Sequence, residues 1–126
     1  MGTDWNNNQP IYLQLREKVI ALILDNILKD GDTLPSVRTV SAEQRVNPIT
    51  VSKAYQTLVE DELIEKKRGL GMFVKSGARA MLLASEKKKF LENEWPEIVS
   101  RINRLGLSSK ELLTTGNQPS DMKGGI

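Results

Sequence analysis

Along the first third of the chain, apolar residues recur at helical spacing. Tyr12, Leu15, Val19, Leu22, Ile23 and Ile27 fall on one stripe, and Leu13, Ile20 and Leu24 on a second beside it. This predicts a helix over residues 10–28, opened by Pro10, whose missing N–H costs nothing at a helix start, and closed by Gly31. An apolar face this wide calls for two partners. The pattern then shortens. Ser36 is a good N-cap for a helix over residues 36–44 that buries Val37 and Val40. After a break at Arg45-Val46-Asn47-Pro48, Asn47 caps and Pro48 begins a third helix running to about Asp61. Its spacing turns Val51, Ala54, Tyr55 and Leu58 inward and Ile49, Ser52, Lys53, Gln56 and Glu60 outward.

From Leu63 the period changes. Residues 63–66 and 72–75 read as two short strands, and the glycines of Lys67-Arg68-Gly69-Leu70-Gly71 suit the positive φ of a hairpin turn. Ser76-Gly77 reads as a hinge. Residues 78–105 are rich in Ala, Leu, Glu and Lys and are expected to be helical, with a kink or break near 93–95 ahead of Pro96. Gly106 ends that helix, Ser108 caps a last turn through Leu113, and residues 114–126 read as a frayed polar tail. Two short helices joined by a tight turn, after a supporting helix and before a basic hairpin, make a winged helix-turn-helix. The expected fold is thus mainly α with a small β-hairpin: a winged helix-turn-helix over residues 1–77 and a short helical dimerisation segment over 78–126.

Composition narrows the chemistry. The 126 residues include no cysteine and no histidine, which excludes disulfides, thiolate or imidazole metal sites, and catalysis by a His base or Cys nucleophile. No cofactor or metal is expected. Glu92, Glu94 and Glu97, the one oxygen-ligand candidate, read as a solvated face. No apolar run approaches the roughly 18 residues of a membrane span, and the polar start of the chain shows no signal peptide, so a cytoplasmic protein is expected. Net charge is only +2, but its distribution is uneven. From Ser36 to Leu58 the charges are Arg38, Arg45 and Lys53 against Glu43. From Ile64 to Gly77 they are Lys66, Lys67, Arg68 and Lys75 against Glu65. The acids gather instead at Asp25, Asp30 and Asp32 and at Glu60, Asp61 and Glu62. Such segregation suits one face turned to a polyanion. A short helix with a polar outer face fits a DNA major groove, and a glycine-rich basic tip lets backbone approach a sugar-phosphate strand.

The stretches Leu34-Pro35-Ser36-Val37-Arg38, Val46-Asn47-Pro48-Ile49-Thr50-Val51-Ser52-Lys53-Ala54-Tyr55 and Arg68-Gly69-Leu70-Gly71-Met72-Phe73-Val74 resemble the GntR transcription regulators. Pro10-Ile11-Tyr12-Leu13-Gln14-Leu15, Asn47-Pro48 and Arg104-Leu105-Gly106-Leu107-Ser108 resemble the YtrA subfamily. The resemblance implies a dimeric bacterial repressor that contacts DNA through Arg38, through Asn47, Ile49, Thr50 and Ser52, and through Gly69. To these the residues themselves add Lys53 on the outer helix face and Arg68 on the hairpin tip. The sequence departs from the family at Arg45, where a small turn residue is usual. A left-handed Arg there costs on the order of 1 kcal/mol, or the turn differs. A basic residue near the start of the recognition helix is also absent, since Pro48 and Ile49 stand there. Readout would then lean on Thr50, Lys53 and an Ile49 contact to a thymine methyl.

The expected function is sequence-specific binding of double-stranded DNA as a homodimer on an inverted repeat, with a winged-helix protein-interaction module as the alternative. A small-molecule effector is compatible with this but not indicated. The expected dimer surface joins Leu13, Ile20 and Leu24 to Leu83, Phe90, Leu91, Trp95, Ile98 and Ile102, because so short a C-terminal segment cannot enclose its own apolar residues. Trp5 is expected to dock the N-terminal arm on the core. The 49 residues after Gly77 are too few for a fused enzyme domain.

Overall fold

The computed structural model describes residues 5–116. Six α-helices and one hairpin follow in the order α1 (Ile11–Leu24), α2 (Val37–Gln44), α3 (Pro48–Glu60), β1 (Ile64–Lys67), β2 (Gly71–Val74), α4 (Ala78–Lys89), a π-helical turn (Phe90–Glu94), α5 (Trp95–Arg104) and α6 (Ser109–Gly116). They form two compact units, Met1–Ala84 and Ser85–Ile126. The expected hinge at Ser76-Gly77 lies inside the first unit, because Ala78 and Leu82 of α4 are buried in its core. The part of the expected tail beyond residue 116 lies outside the described residues.

The core of the first unit is built where α1 crosses α3. Leu15, Val19 and Ile23 meet Val51, Ala54, Tyr55 and Leu58, with Val40, Val46, Leu63, Ile64 and Val74 closing the edges. Tyr55 is buried, and its hydroxyl donates to the Pro35 carbonyl at 2.7 Å, which ties α3 to the segment before α2. Burial pushes its phenol up to about 12. Trp5 packs against this core, as expected, and Gln14 holds the arm in place. The Gln14 Oε1 accepts from Asn6 N–H at 3.0 Å, and its Nε2 donates to the carbonyls of Asn6 and Gln9.

Three features of the first unit differ from the sequence expectation. Helix α1 stops at Leu24, not Leu28, because Asn26 takes the left-handed conformation (φ 61°) that had been expected of Gly31. The N–H of Asn26 bonds Ile23 O and that of Ile27 bonds Leu22 O, the paired bonds of a Schellman cap. Ile27 falls beyond the helix and is exposed. Ile20, expected on a dimer-facing stripe, is 6% exposed and belongs to the chain's own core, and Leu24 packs partly against that core. The start of α4 joins the same core through Ala78 and Leu82, and the Arg79 Nε donates to Leu24 O at 3.0 Å. Finally, the segment before α2 carries a strand-like pairing that the sequence pattern does not predict. Leu34 N–H bonds Met72 O and Val74 N–H bonds Asp32 O, so residues 32–34 lie along the edge of β2.

The helix-turn-helix turn is settled by Arg45, which is left-handed (φ 55°, ψ 49°) at the end of α2. Arg45 N–H bonds Ser41 O, as does Val46 N–H, and the Ser41 hydroxyl donates to Val46 O at 2.6 Å. Three hydrogen bonds therefore hold a conformation disfavoured by roughly 1–2 kcal/mol for a residue with a Cβ.

In the second unit the break ahead of Pro96 is a π-helical turn. Pro96 has no N–H for the carbonyl four residues back and its ring crowds that carbonyl. The chain widens instead, with Trp95 N–H reaching Phe90 O. Gly106 (φ 68°) closes α5, and Ser108 opens α6, which runs past Leu113 to Gly116.

Candidate nucleic-acid interface

Helix α3 begins with a complete cap. Asn47 Oδ1 accepts from Ile49 N–H at 2.8 Å, and Pro48 occupies the first helical position, where no N–H is needed. The cap uses the Asn47 oxygen, so its amide N–H2 is the group left for a DNA contact. Ser36 caps α2 in the same way, its hydroxyl accepting from Thr39 N–H at 3.1 Å, and Arg38 follows in the first turn, exposed. Among the described residues Arg38 has no acidic partner, so Glu43 does not hold it.

The outer face of α3 has two flanks. Ile49 is 77% exposed at its crest. On the wing side, Ser52 and Gln56 line a groove of about 240 Å³ with Val37, Tyr55, Met72 and Lys66. On the α1 side, the Lys53 ammonium lies 4.1 Å from the centre of the Tyr12 ring, and Arg16 bonds both the Thr57 hydroxyl and the Asp61 carboxylate. Thr50 is half-buried.

The wing is one residue displaced from expectation. Ile64 pairs with Val74 and Lys67 with Gly71, leaving Arg68-Gly69-Leu70 as the loop. Gly69 (φ 78°) and Gly71 (φ 113°) take backbone conformations that a side chain would strain. The tip cations are not equivalent. Lys67 folds back over the Phe73 ring at 4.8 Å, Lys66 lines the groove, and Arg68 is exposed at the tip.

Three of the acids are occupied by partners. Asp61 pairs with Arg16, Glu62 with Lys75 at 3.3 Å, and Asp30 accepts from Gly77 N–H. The first half of α3, the start of α2 and the hairpin tip thus bring Arg38, Asn47, Ile49, Ser52, Lys53, Arg68 and Gly69 to exposed positions within one unit. Sequence reasoning placed Tyr12 in the core and missed its contact with Lys53. An aromatic residue at the start of α1 was the one available signal.

The second unit holds a different surface. Trp95, Ile98, Val99, Ile102 and Leu105 repeat at helical spacing along α5, and none is buried. Phe90 and Leu91 are exposed as well, with the Phe90 ring 6.1 Å from Trp95. Leu83, in the first unit, is half-buried.

Comparison with known proteins agrees with this geometry. The family described as bacterial regulatory proteins, gntR family, matches residues 11–74. The chain is 32% identical to the HTH-type transcriptional repressor YtrA of Bacillus subtilis over 123 residues, covering 97% of this chain and 94% of that protein. It is 29% identical to the uncharacterized HTH-type transcriptional regulator YhcF of the same organism, covering 90% and 92%. A GntR family transcriptional regulator from Listeria monocytogenes has a similar structure, with TM-score 0.72 at 27% identity, covering 90% of this chain and 98% of that one.

Proposed function

Because the chain belongs to the gntR family of bacterial regulatory proteins, we propose that this winged helix-turn-helix transcription regulator acts as a repressor, binding an inverted-repeat operator as a homodimer. The observation that carries the proposal is the pairing of two surfaces in one short chain. One is the exposed set of Arg38, Asn47, Ile49, Ser52, Lys53 and Arg68 on α2, α3 and the hairpin tip. The other is an apolar stripe along α5 in which, among the described residues, Ile98 and Leu105 are exposed and Trp95, Val99 and Ile102 are only half-buried.

In this reading α3 enters the major groove. Ile49 meets a thymine methyl, and Ser52 with Gln56 reaches base edges from the wing side. Arg38, the Asn47 amide and Thr50 meet phosphates, which fixes register without reading sequence. Arg68 and the Gly69 backbone follow the adjacent strand. Two copies pair through Phe90, Leu91, Trp95, Ile98 and Ile102, which makes a self-complementary interface about a two-fold axis. Leu24 packs partly against the first unit's core and Ile20 is buried in it, so neither is free to pair, while Leu13 and Leu83 are half-buried. The axis spaces the two recognition helices, with preferred half-site separations near one DNA turn, about 10 bp, or its multiples.

Selection of tight binders from a random duplex pool by the full chain tests the proposal. The expected product is an inverted repeat. Enrichment of a single unrepeated site would contradict the dimer, and no enrichment would contradict sequence-specific binding. An Ile49→Ala, Ser52→Ala double variant is expected to relax the preference at the matching base pairs by about 1–3 kcal/mol per lost contact.

A further inference from the structure

Lys53 faces outward from α3, where a lysine is ordinarily a mobile, fully hydrated point charge. Here its ammonium stands 4.1 Å from the centre of the Tyr12 ring, inside the range of a cation–π contact. Tyr12 is half-buried against the core at the first turn of α1, so the ring is a fixed platform. The contact also sets direction. It draws Lys53 to the α1 flank of α3, the flank on which Arg16 reaches Thr57, and away from the wing flank where Ser52 and Gln56 open the groove. Among the described residues no acid pairs with Lys53, and Asp61, at the far end of α3, is held by Arg16. The ammonium therefore keeps its charge unneutralised while its position is restrained.

We propose that Tyr12 is a positioning residue for DNA binding: its ring holds Lys53 at the α1 edge of the recognition helix, where the ammonium clamps a backbone phosphate rather than reading a base. The inference rests on the DNA-binding reading above. A ring contact leaves the ammonium free to donate, because the π face attracts charge without using up N–H groups. Lower conformational freedom before binding means less is lost when the phosphate is met. Lys53 thereby contributes to affinity on every sequence and not to discrimination among them.

The test uses the full chain and a random-sequence duplex of about 30 bp, followed by fluorescence anisotropy across a salt series, since a phosphate clamp needs no operator. Lys53→Ala is expected to weaken binding and to lower the salt slope by about 0.9, the value of one phosphate contact. Tyr12→Leu is expected to lose about two- to five-fold, the range of an exposed cation–π contact, while Tyr12→Phe keeps wild-type affinity. Adding Tyr12→Leu to Lys53→Ala is expected to cost nothing further. Independent, multiplying losses would overturn the proposal, as would equal losses in Tyr12→Phe and Tyr12→Leu. An NMR measurement guards against a variant that folds poorly. The Lys53 ε-methylene protons of the wild type are expected upfield of their ordinary position, through the ring current of Tyr12, and an ordinary shift there would overturn the pairing. If the wild type fails to bind the duplex, both the DNA-binding reading and this inference fall. If it binds and Tyr12→Leu is without effect, only the inference falls.

Discussion

The two units of this chain solve the problem of apolar surface in opposite ways. Among the described residues of Met1–Ala84, sixteen hydrophobic residues are buried in one cluster, drawn from α1, α2, α3, the hairpin, the start of α4 and the segments between them. From Ser85 to Thr114 no residue is buried, although Phe90, Leu91, Trp95, Ile98, Val99, Ile102 and Leu105 lie there. The first unit is a closed core whose remaining surface can be given to charge. The second, over its described residues, is a run of short helices with no buried side chain. A stripe of that kind is a liability in a monomer and an interface in a dimer. The proposed function assigns contact with the polyanion to the winged helix, and the pairing of two such contacts to the C-terminal helices.

The sharpest way to break that contrast is to charge the stripe. A Trp95→Glu, Ile98→Glu variant is expected to leave the first unit folded and the chain monomeric at micromolar concentration. Its affinity for a duplex carrying two half-sites is expected to fall about 100-fold or more, because the second contact no longer gains from linkage to the first. Sedimentation and anisotropy check this together. An unchanged mass would place the dimer interface elsewhere.

Within the closed core the expected effect is on stability alone. Leu58 is fully buried on α3, and Leu58→Ala is expected to cost about 2–5 kcal/mol in urea unfolding. A loss below about 1 kcal/mol would mean that the first unit is less tightly packed around Leu58 than its complete burial implies.

Tyr55 sharpens the picture at the same place. Tyr55→Phe removes the bond to Pro35 O and is expected to cost about 1 kcal/mol at neutral pH. In the folded protein the phenol titrates at about 12 against an ordinary 10. Between those values the folded state holds a proton that the unfolded state has released. Wild-type stability is therefore expected to be level below pH 10 and to fall from pH 10 to about 12. In Tyr55→Phe the component of that fall due to this residue should vanish, as urea midpoints on a pH series would reveal.

The smallest expected effect runs in the other direction. Arg45→Gly relieves a left-handed conformation worth roughly 1–2 kcal/mol but adds backbone freedom worth roughly 0.5–1 kcal/mol in the unfolded chain. A net gain of about 0.5–1 kcal/mol is expected, seen as a rise of a few degrees in Tm. A loss would mean that the Arg45 side chain itself stabilises the turn.

The helix-turn-helix was legible because its signals are local. Ser36 and Asn47 are caps, Pro48 starts a helix, and Val51, Ala54, Tyr55 and Leu58 keep strict spacing, so both helices fall where expected. The break before Pro96 was legible for the same reason. What the sequence did not reveal depends on partners far along the chain. Ile20 looked like surplus apolar surface until the start of α4 was seen to share its core. The edge pairing of residues 32–34 with β2 needs a neighbour that only the folded hairpin provides. Asn26 ended α1 where Gly31 had seemed the better residue, because a Schellman cap needs tolerance of positive φ and not glycine as such. The candidate interface was legible as a set of residue types, but its two flanks were not. The pull of Tyr12 on Lys53 and of Phe73 on Lys67 comes from rings whose positions are set by packing.

The central claim, that the second unit is completed only by another copy of the chain, is tested most directly by sedimentation equilibrium of the full-length protein at micromolar concentration without DNA. The account predicts a species of twice the chain mass that dissociates on dilution. A single species of one chain mass across the whole concentration range would contradict it.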